Sequence, residues 1–553
     1  MISENYIKIY EKSFRENWDL PALTDYSTKK TITYAQFARD IARIHIFFKQ
    51  CGIKPGDKVA LIGKNNVNWV TIFMATVTYG AVIVPILAEF NPQDAQHIIN
   101  HSEAVILFAS DRVAEPLEME KMHNIRAIIS LDTMKPIAEK DGEKVSAALR
   151  NLTRRFKNAY PNGFDRNSIS YPDVPNDRLI EINYTSGTTG FSKGVMLTAN
   201  NLAGNVVYGI KSKLHFRGSR CLSFLPLAHA YGCAFDMLTP LAVGTHITLL
   251  GKIPSPKILV SAMNEVKPDL VICVPLVLEK IYRKMIQPML AKNVMRWALA
   301  IPLLDSKIYT QIRNKLIAAF GGNFSEVIVG GAPLNAEVED FLRRIKFPFT
   351  VGYGMTECGP LISHTFWSDF VPHSSGRELK GIMKIRIDSP EPANIPGEIL
   401  VKGENVMMGY YKNEEATAAV LDADGWLHTG DMGIVADDGT VTIRGRYKTM
   451  ILTANGQNIY PEEIEAKLNN MPFVAESLVV ERSGKLVALV YPDYDMMDSV
   501  GITTDQLPAS MEQIRKELNA LVAPYEQISK IQLIANEFEK TPKRSIKRYL
   551  YAN

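Results

Sequence analysis

Along the first half of the chain, short apolar, β-branched runs alternate with stretches of helical spacing. Residues 58–62 and 81–87 read as buried strands, and Asn68 to Tyr79 between them carries a helical apolar pattern. Residues 104–109 and 127–131 repeat the strand type. Strands alternating with helices imply parallel sheets covered by helices. Residues 133–178 are more polar and carry charge runs, which predicts a surface excursion. The strand pattern returns at Leu179-Ile-Glu-Ile-Asn-Tyr184, with further buried strands expected at 245–250, 270–274 and 326–329. From Gly397 the texture changes. Residues 397–401 and 440–444 look antiparallel, with Gly-containing turns. After Arg446 a compact stretch carries strand and helix signals of its own. A boundary at 445–449 therefore divides the chain into units of 1–445 and 446–553. The expected fold class is α/β: parallel, helix-covered sheets with a small β-barrel-like subdomain, then a small α+β C-terminal domain.

Composition narrows the classes. A chain of 553 residues, 46% hydrophobic and 22% charged, buries a sizeable core over more than one structural unit. A net charge of +3 argues against a nucleic-acid binder. Cys51, Cys221, Cys233, Cys273 and Cys358 are scattered, which argues against a zinc site or disulfide framework and fits a reducing compartment. The opening Met-Ile-Ser-Glu-Asn-Tyr-Ile-Lys lacks the apolar stretch of a signal peptide, and no run reaches the ~18 apolar residues of a membrane span. The expected location is cytoplasmic.

One loop carries explicit chemistry. Tyr184-Thr-Ser-Gly-Thr-Thr-Gly-Phe-Ser-Lys-Gly194 follows a predicted strand. Glycines let backbone N–H groups approach an anion, hydroxyls add donors, and Lys193 supplies a point charge. The string lacks the Gly-Lys-Ser/Thr of a Walker loop. It resembles the signature loop of the adenylate-forming superfamily, whose members include acyl-CoA synthetases, 4-coumarate ligases, luciferases and peptide-synthetase adenylation domains. Other signatures of that superfamily recur in order: Leu225-Pro-Leu-Ala-His229-Ala-Tyr-Gly232, Gly330-Gly-Ala-Pro-Leu334, Tyr353-Gly-Met-Thr-Glu357, Trp426-Leu-His-Thr-Gly-Asp431 and Arg444-Gly-Arg446-Tyr-Lys448.

The resemblance implies roles. Thr185, Ser186, Gly187, Thr188, Thr189, Gly190 and Lys193 would cradle the ATP phosphates. His229 would lie beside the acyl pocket. Gly331, Ala332 and Pro333 would pack on adenine with the ring of Tyr353. Gly354, Met355 and Thr356 would follow toward the α-phosphate, and Glu357 would bind Mg²⁺. Asp431 and Arg446 would hold the ribose, Lys448 would mark the domain hinge, and Gly456 would belong to the mobile-domain loop. The implied reaction joins a carboxylate to AMP with loss of pyrophosphate, then passes the acyl group to the thiol of coenzyme A. The N-terminal part, including Pro85-Ile-Leu-Ala-Glu-Phe-Asn-Pro92, looks most like bacterial long-chain fatty acid–CoA ligases. The uncharged runs Phe224 to Leu227 and Cys273 to Leu278 favour an apolar acyl tail. A carrier-protein pantetheine acting in trans is the alternative acceptor.

The tail departs from the resemblance. Lys540-Thr-Pro-Lys543-Arg-Ser545-Ile-Lys547-Arg548 places Ser545 where the family has the lysine that bridges carboxylate and phosphate. Three readings stay open. Lys543 or Lys547 reaches the site instead, or adenylation is slow, or the chain binds acyl-nucleotides without making them. Residues 285–315 mix Met, Leu, Ile and Trp297 with Lys292, Arg296, Lys307, Arg313 and Lys315. That composition suits either a basic amphipathic membrane contact or helices packed on the large domain.

Overall fold

The computed structural model describes the chain except residues 141, 186–191, 252–254, 291–297, 299–300, 302–303, 453–457, 483, 542–544 and 552–553, and the side chains of 284, 285, 458 and 499. Ser186, Gly187, Thr188, Thr189, Gly190, Gly456 and Lys543 therefore lie outside the described residues, as do Lys292, Arg296 and Trp297.

An eight-stranded sheet runs in the order Gly409–Tyr410, Lys193–Thr198, Leu179–Thr185, Val82–Ile86, Lys58–Ile62, Ile106–Ala109, Ala127–Ser130, Pro136–Glu139. Its centre is parallel and its outer pairings antiparallel. Val82–Ile86 is buried at every position, as a strand covered on both faces must be. The crossover helix Val67–Tyr79 explains itself. Asn66 caps it by accepting from the Trp69 N–H, Gly80 closes it at φ 84°, and its apolar circumference is buried from Trp69 to Thr78. The polar excursion at 133–178 contributes the edge strand Pro136–Glu139 and the short helices Lys144–Arg150 and Leu152–Ala159.

A second sheet orders Arg220–Ser223, His246–Leu249, Pro21–Asp25 and Thr31–Thr33. A third is a parallel trio of Val271–Cys273, Val327–Val329 and Phe349–Val351. The strands expected at 245–250, 270–274 and 326–329 thus fall in two different sheets. The antiparallel strands from Gly397 onward form an open four-stranded sheet of Met383–Asp388, Gly397–Gly403, Leu427–Val435 and Val441–Arg446. No barrel closes among the described residues, so the barrel-like expectation reduces to an open sheet.

One continuous apolar core runs through the chain to Val441, with Ile443 packed against it. A separate core gathers Ile459, Ile464, Leu468, Val479 and Leu518, with Ile451 at its margin. It fills the space between helices Pro461–Leu468 and Leu507–Leu521 and the sheet of Val474–Arg482, Lys485–Pro492 and Lys530–Leu533. The two cores part company between Ile443 and Ile451. No helix among the described residues is long and apolar enough to cross a membrane.

Candidate active site

Two cavities meet where the large unit faces the smaller one. The first, of about 1150 Å³, is lined by Thr185, Lys193, Tyr353, Gly354, Met355, Thr356, Glu357, Thr429, Gly430, Arg446 and Lys448, and by Thr541, Ser545 and Arg548 from the tail. The second, of about 430 Å³, has apolar walls that include Phe224, Leu225, Val274, Val277, Met263 and Phe320. His229, Tyr231, Gly331 and Ser545 line both. The charged members of the second lining, Lys64, Glu89 and Lys280, are solvent-exposed, so the uncharged runs read from the sequence do form the inner wall.

The Lys193 end of the first cavity is built by strand pairing. Leu179–Thr185 and Lys193–Thr198 form a hairpin in which Thr185 faces Lys193 across the ladder. Tyr184 is held from below by His101, whose Nδ1 lies 2.7 Å from the tyrosine hydroxyl. Gly194 must be glycine, since a Cβ there would lie 2.9 Å from Ile182 and 3.0 Å from the Tyr184 ring. Across the cavity, Gly354 admits the carbonyl of Pro360 at 2.4 Å from where a Cβ would sit. The Met355 N–H donates to that same carbonyl at 2.9 Å, which turns Thr356 and Glu357 into the cavity. Glu357 accepts a 2.8 Å hydrogen bond from the Tyr410 hydroxyl, and Lys193 Nζ lies 4.8 Å from the centre of the Tyr410 ring.

Another part of this region is a charge pair of a buried carboxylate and an exposed arginine. Asp431 is 8% exposed. It accepts from the Tyr353 hydroxyl at 2.6 Å and pairs with Arg446 Nε at 3.0 Å. Its own N–H donates to Thr429 Oγ1. Burial raises the Asp431 pKa, with Arg446 and the Tyr353 hydroxyl opposing that rise. Burial likewise pushes the Tyr353 phenol well above its usual range, so the ring stays neutral. Ala332 and Pro333 are exposed and outside the lining, leaving Gly331 as the member of that trio on both cavities.

The apolar cavity is lined by loops and by the helices Pro256–Val266 and Pro275–Ile281. His229 Nδ1 accepts from the Tyr231 N–H at 3.3 Å, capping the short helix Ala230–Gly232. The Tyr231 hydroxyl donates to the Ile328 carbonyl at 3.0 Å, tying this loop to the parallel trio. Asn65 clamps the wall by donating to the Leu225 carbonyl at 2.7 Å and accepting from the Leu227 N–H at 3.0 Å. From the central sheet, Asn183 donates to both Glu181 Oε1 and the Ala228 carbonyl. The sequence offered no signal for Asn65, Asn183 or Tyr410, because each works through a contact distant along the chain.

The tail enters the junction held by Lys540 on Glu476, by Phe538 packed on Leu478 and Val480, and by Arg548. Arg548 pairs with Glu465 at 2.8 Å and donates to the Val479 carbonyl at 3.1 Å. Ser545 is exposed, and its carbonyl accepts from the Thr541 N–H at 2.8 Å. Lys547 leans on Glu539 at 3.5 Å and is outside both linings.

The family model described as AMP-binding enzyme matches residues 10–411. Long-chain-fatty-acid–CoA ligase FadD15 of Mycobacterium bovis is 29% identical over 567 residues, spanning 94% of this chain and 90% of that protein. 4-Coumarate-CoA ligase 1 of Narcissus pseudonarcissus is 30% identical, over 84% of this chain and 79% of its own. The ATP-bound crystal structure of MatB from Rhodopseudomonas palustris superimposes with a TM-score of 0.76 at 23% identity, covering 99% of this chain and 98% of that one. The shared fold extends through both units.

Proposed function

The chain belongs to the AMP-binding enzymes, and from that premise we propose that it is an ATP-dependent ligase joining a long-chain fatty acid to coenzyme A. The observation that carries the proposal is the junction. An apolar cavity sized for an acyl tail opens into a polar one at His229, Tyr231, Gly331 and Ser545. The ligase names of the relatives support the acid and the thiol.

A fatty acid bound with its tail in the apolar cavity presents its carboxylate at the junction. There a carboxylate oxygen attacks the α-phosphorus of ATP, the bond to the β-phosphate oxygen breaks, and pyrophosphate leaves. The approach of two anions is unfavourable unless cationic and N–H groups are already aimed at the developing charge. Lys193 supplies charge at the phosphate end, while Asp431 and Arg446 hold the ribose. In the second step the thiolate of coenzyme A attacks the acyl carbonyl and AMP departs. We place the domain division at 445–449, with Lys448 as the pivot that lets the smaller unit turn between the steps.

The residues present fit Mg²⁺. Mg²⁺ takes one or two carboxylates together with substrate phosphates, and Glu357 with Thr356 gives that oxygen set on the cavity wall. When bound, the ion would neutralise phosphate charge. Five free, buried cysteines support a cytoplasmic location. The helix Leu304–Ala319 buries only Ile312 and Leu316 and exposes Lys307 and Lys315, which supports a peripheral membrane contact in the proposal.

Ser545 favours a second reading, a protein that binds acyl-nucleotides but is impaired in forming them; a fatty acyl-AMP ligase that loads a carrier-protein pantetheine is the separate alternative in which only the acceptor differs. A fatty-acid panel assayed for pyrophosphate release, with and without coenzyme A, decides between them. Acid-dependent pyrophosphate release that gains acyl-CoA when the thiol is added is expected. Release without acyl-CoA points to a carrier acceptor, and no release with any acid sinks the ligase proposal.

A further inference from the structure

Tyr410 belongs to none of the motifs that define the site, yet it touches both charged groups at the polyphosphate end. Its hydroxyl donates to Glu357 Oε1 at 2.8 Å, and its ring face carries Lys193 Nζ at 4.8 Å. The side chain is 7% exposed and lines the cavity. Its position is set by the backbone. Gly409–Tyr410 is the edge strand of the large sheet, registered against Met196 and Val195. The Tyr410 N–H donates to Thr417 Oγ1 at 2.9 Å, and the Tyr411 N–H to the Gly194 carbonyl at 2.7 Å. Tyr411 sends its hydroxyl elsewhere, to Glu103 at 2.8 Å. Successive residues of a strand point to opposite faces, so this register commits Tyr410 to the cavity.

A lysine and a glutamate sharing one pocket wall would ordinarily close on each other and neutralise both. No ion pair between Lys193 and Glu357 forms among the described residues. The ring stands between them and is attracted to each in a different way. A cation is drawn to the ring face, and the hydroxyl is drawn to the carboxylate. Resting on the ligase reading above, the geometry points to Tyr410 as a positioning residue that keeps Lys193 and Glu357 apart, so that one meets the phosphates and the other the metal.

The test measures ATP binding by equilibrium dialysis, in EDTA and in saturating Mg²⁺, on the full chain. Tyr410→Phe keeps the ring and loses the hydroxyl. Metal-free ATP affinity should stay within about twofold, while the gain on adding Mg²⁺ falls about tenfold, the size of a hydrogen bond to a charged group. Tyr410→Leu removes the ring, so metal-free affinity should also fall, about fivefold, as Lys193 turns to Glu357. Adding Glu357→Gln to Tyr410→Leu should restore metal-free affinity, because the competing carboxylate charge is gone. A general packing defect would not be repaired by that change. An unaltered Mg²⁺ gain in Tyr410→Phe, or no restoration in the double variant, overturns the inference. Failure of the unaltered protein to bind ATP at all would instead remove the ligase reading on which it rests, and the inference with it.

Discussion

The two ends of the site are built differently. At the phosphate and ribose end, functional side chains project from paired strands: Thr185 and Lys193 from one hairpin, Asp431 and Arg446 from facing positions of another. Each charged group has a partner or a ring to rest on. At the apolar end, the residues come from loops, from the helices Pro256–Val266 and Pro275–Ile281 and from the tail, and Ser545 offers a hydroxyl where the adenylate-forming resemblance expects a cation. A ladder fixes position with many backbone hydrogen bonds shared over several residues. The tail is fixed mainly by side chains: Arg548 with Glu465 and the Val479 carbonyl, Lys540 with Glu476, and Phe538 packed against Leu478 and Val480. The phosphate end should therefore tolerate loss of any one support better than the tail does.

The largest effect is expected from that tail. Arg548→Ala leaves Glu465, whose side chain is 11% exposed, without its cation. Removing one partner of a buried pair costs roughly 3–5 kcal/mol. Chemical denaturation followed by a C-terminal probe should show the smaller unit losing stability, while the larger unit unfolds as before. Equal loss in both units would mean that the tail is not independently anchored.

Next comes Lys193→Met, which removes a charge without touching the ladder. The expected fall in acid-dependent pyrophosphate release is on the order of 10²–10³-fold, as for deletion of one preorganised donor. Thermal stability should be unchanged. A fall of less than about fivefold would place the phosphate charge elsewhere.

How much of this was legible in the sequence follows the same division. Strands with β-branched runs were readable because a buried parallel strand has to be apolar on both faces. The Tyr184 to Gly194 loop was readable because its glycines and hydroxyls sit within one short string. Tyr410 was not, since its role depends on register with Val195, more than two hundred positions earlier in the chain. Nor could the sequence separate Lys543 from Lys547. The structure sets Lys547 on Glu539, which no spacing rule implies. The barrel-like reading of the 397–444 region failed for a related reason. Alternation and Gly turns report antiparallel pairing, but closure depends on the outer strands, and here Met383–Asp388 and Val441–Arg446 stay at opposite edges.

Ser545→Lys sharpens the comparison from the other side. Ser545 lines both cavities, so a lysine there would bring a cation to the carboxylate end of the junction. Acid-dependent ATP–pyrophosphate exchange should rise, by about tenfold if one charge-assisted hydrogen bond of roughly 1.5 kcal/mol is gained. Unchanged exchange would show that a residue already present carries that role, with Lys543 the first to substitute.

The smallest effect concerns the wall itself. Asn65 holds the Leu225–Leu227 segment by one donated and one accepted hydrogen bond, and it is half-buried. Asn65→Ala removes both and leaves the Leu225 carbonyl and the Leu227 N–H, on buried residues, without that partner, a loss of at least about 1 kcal/mol. That energy acts on the shape of the apolar cavity and not on the charges of the other end. The KM for a long-chain acid should rise about fivefold, with the KM for ATP within error of its original value. If both constants rise together, the two ends share one rigid wall, and the separation drawn between ladder-held and loop-held halves is wrong at its centre.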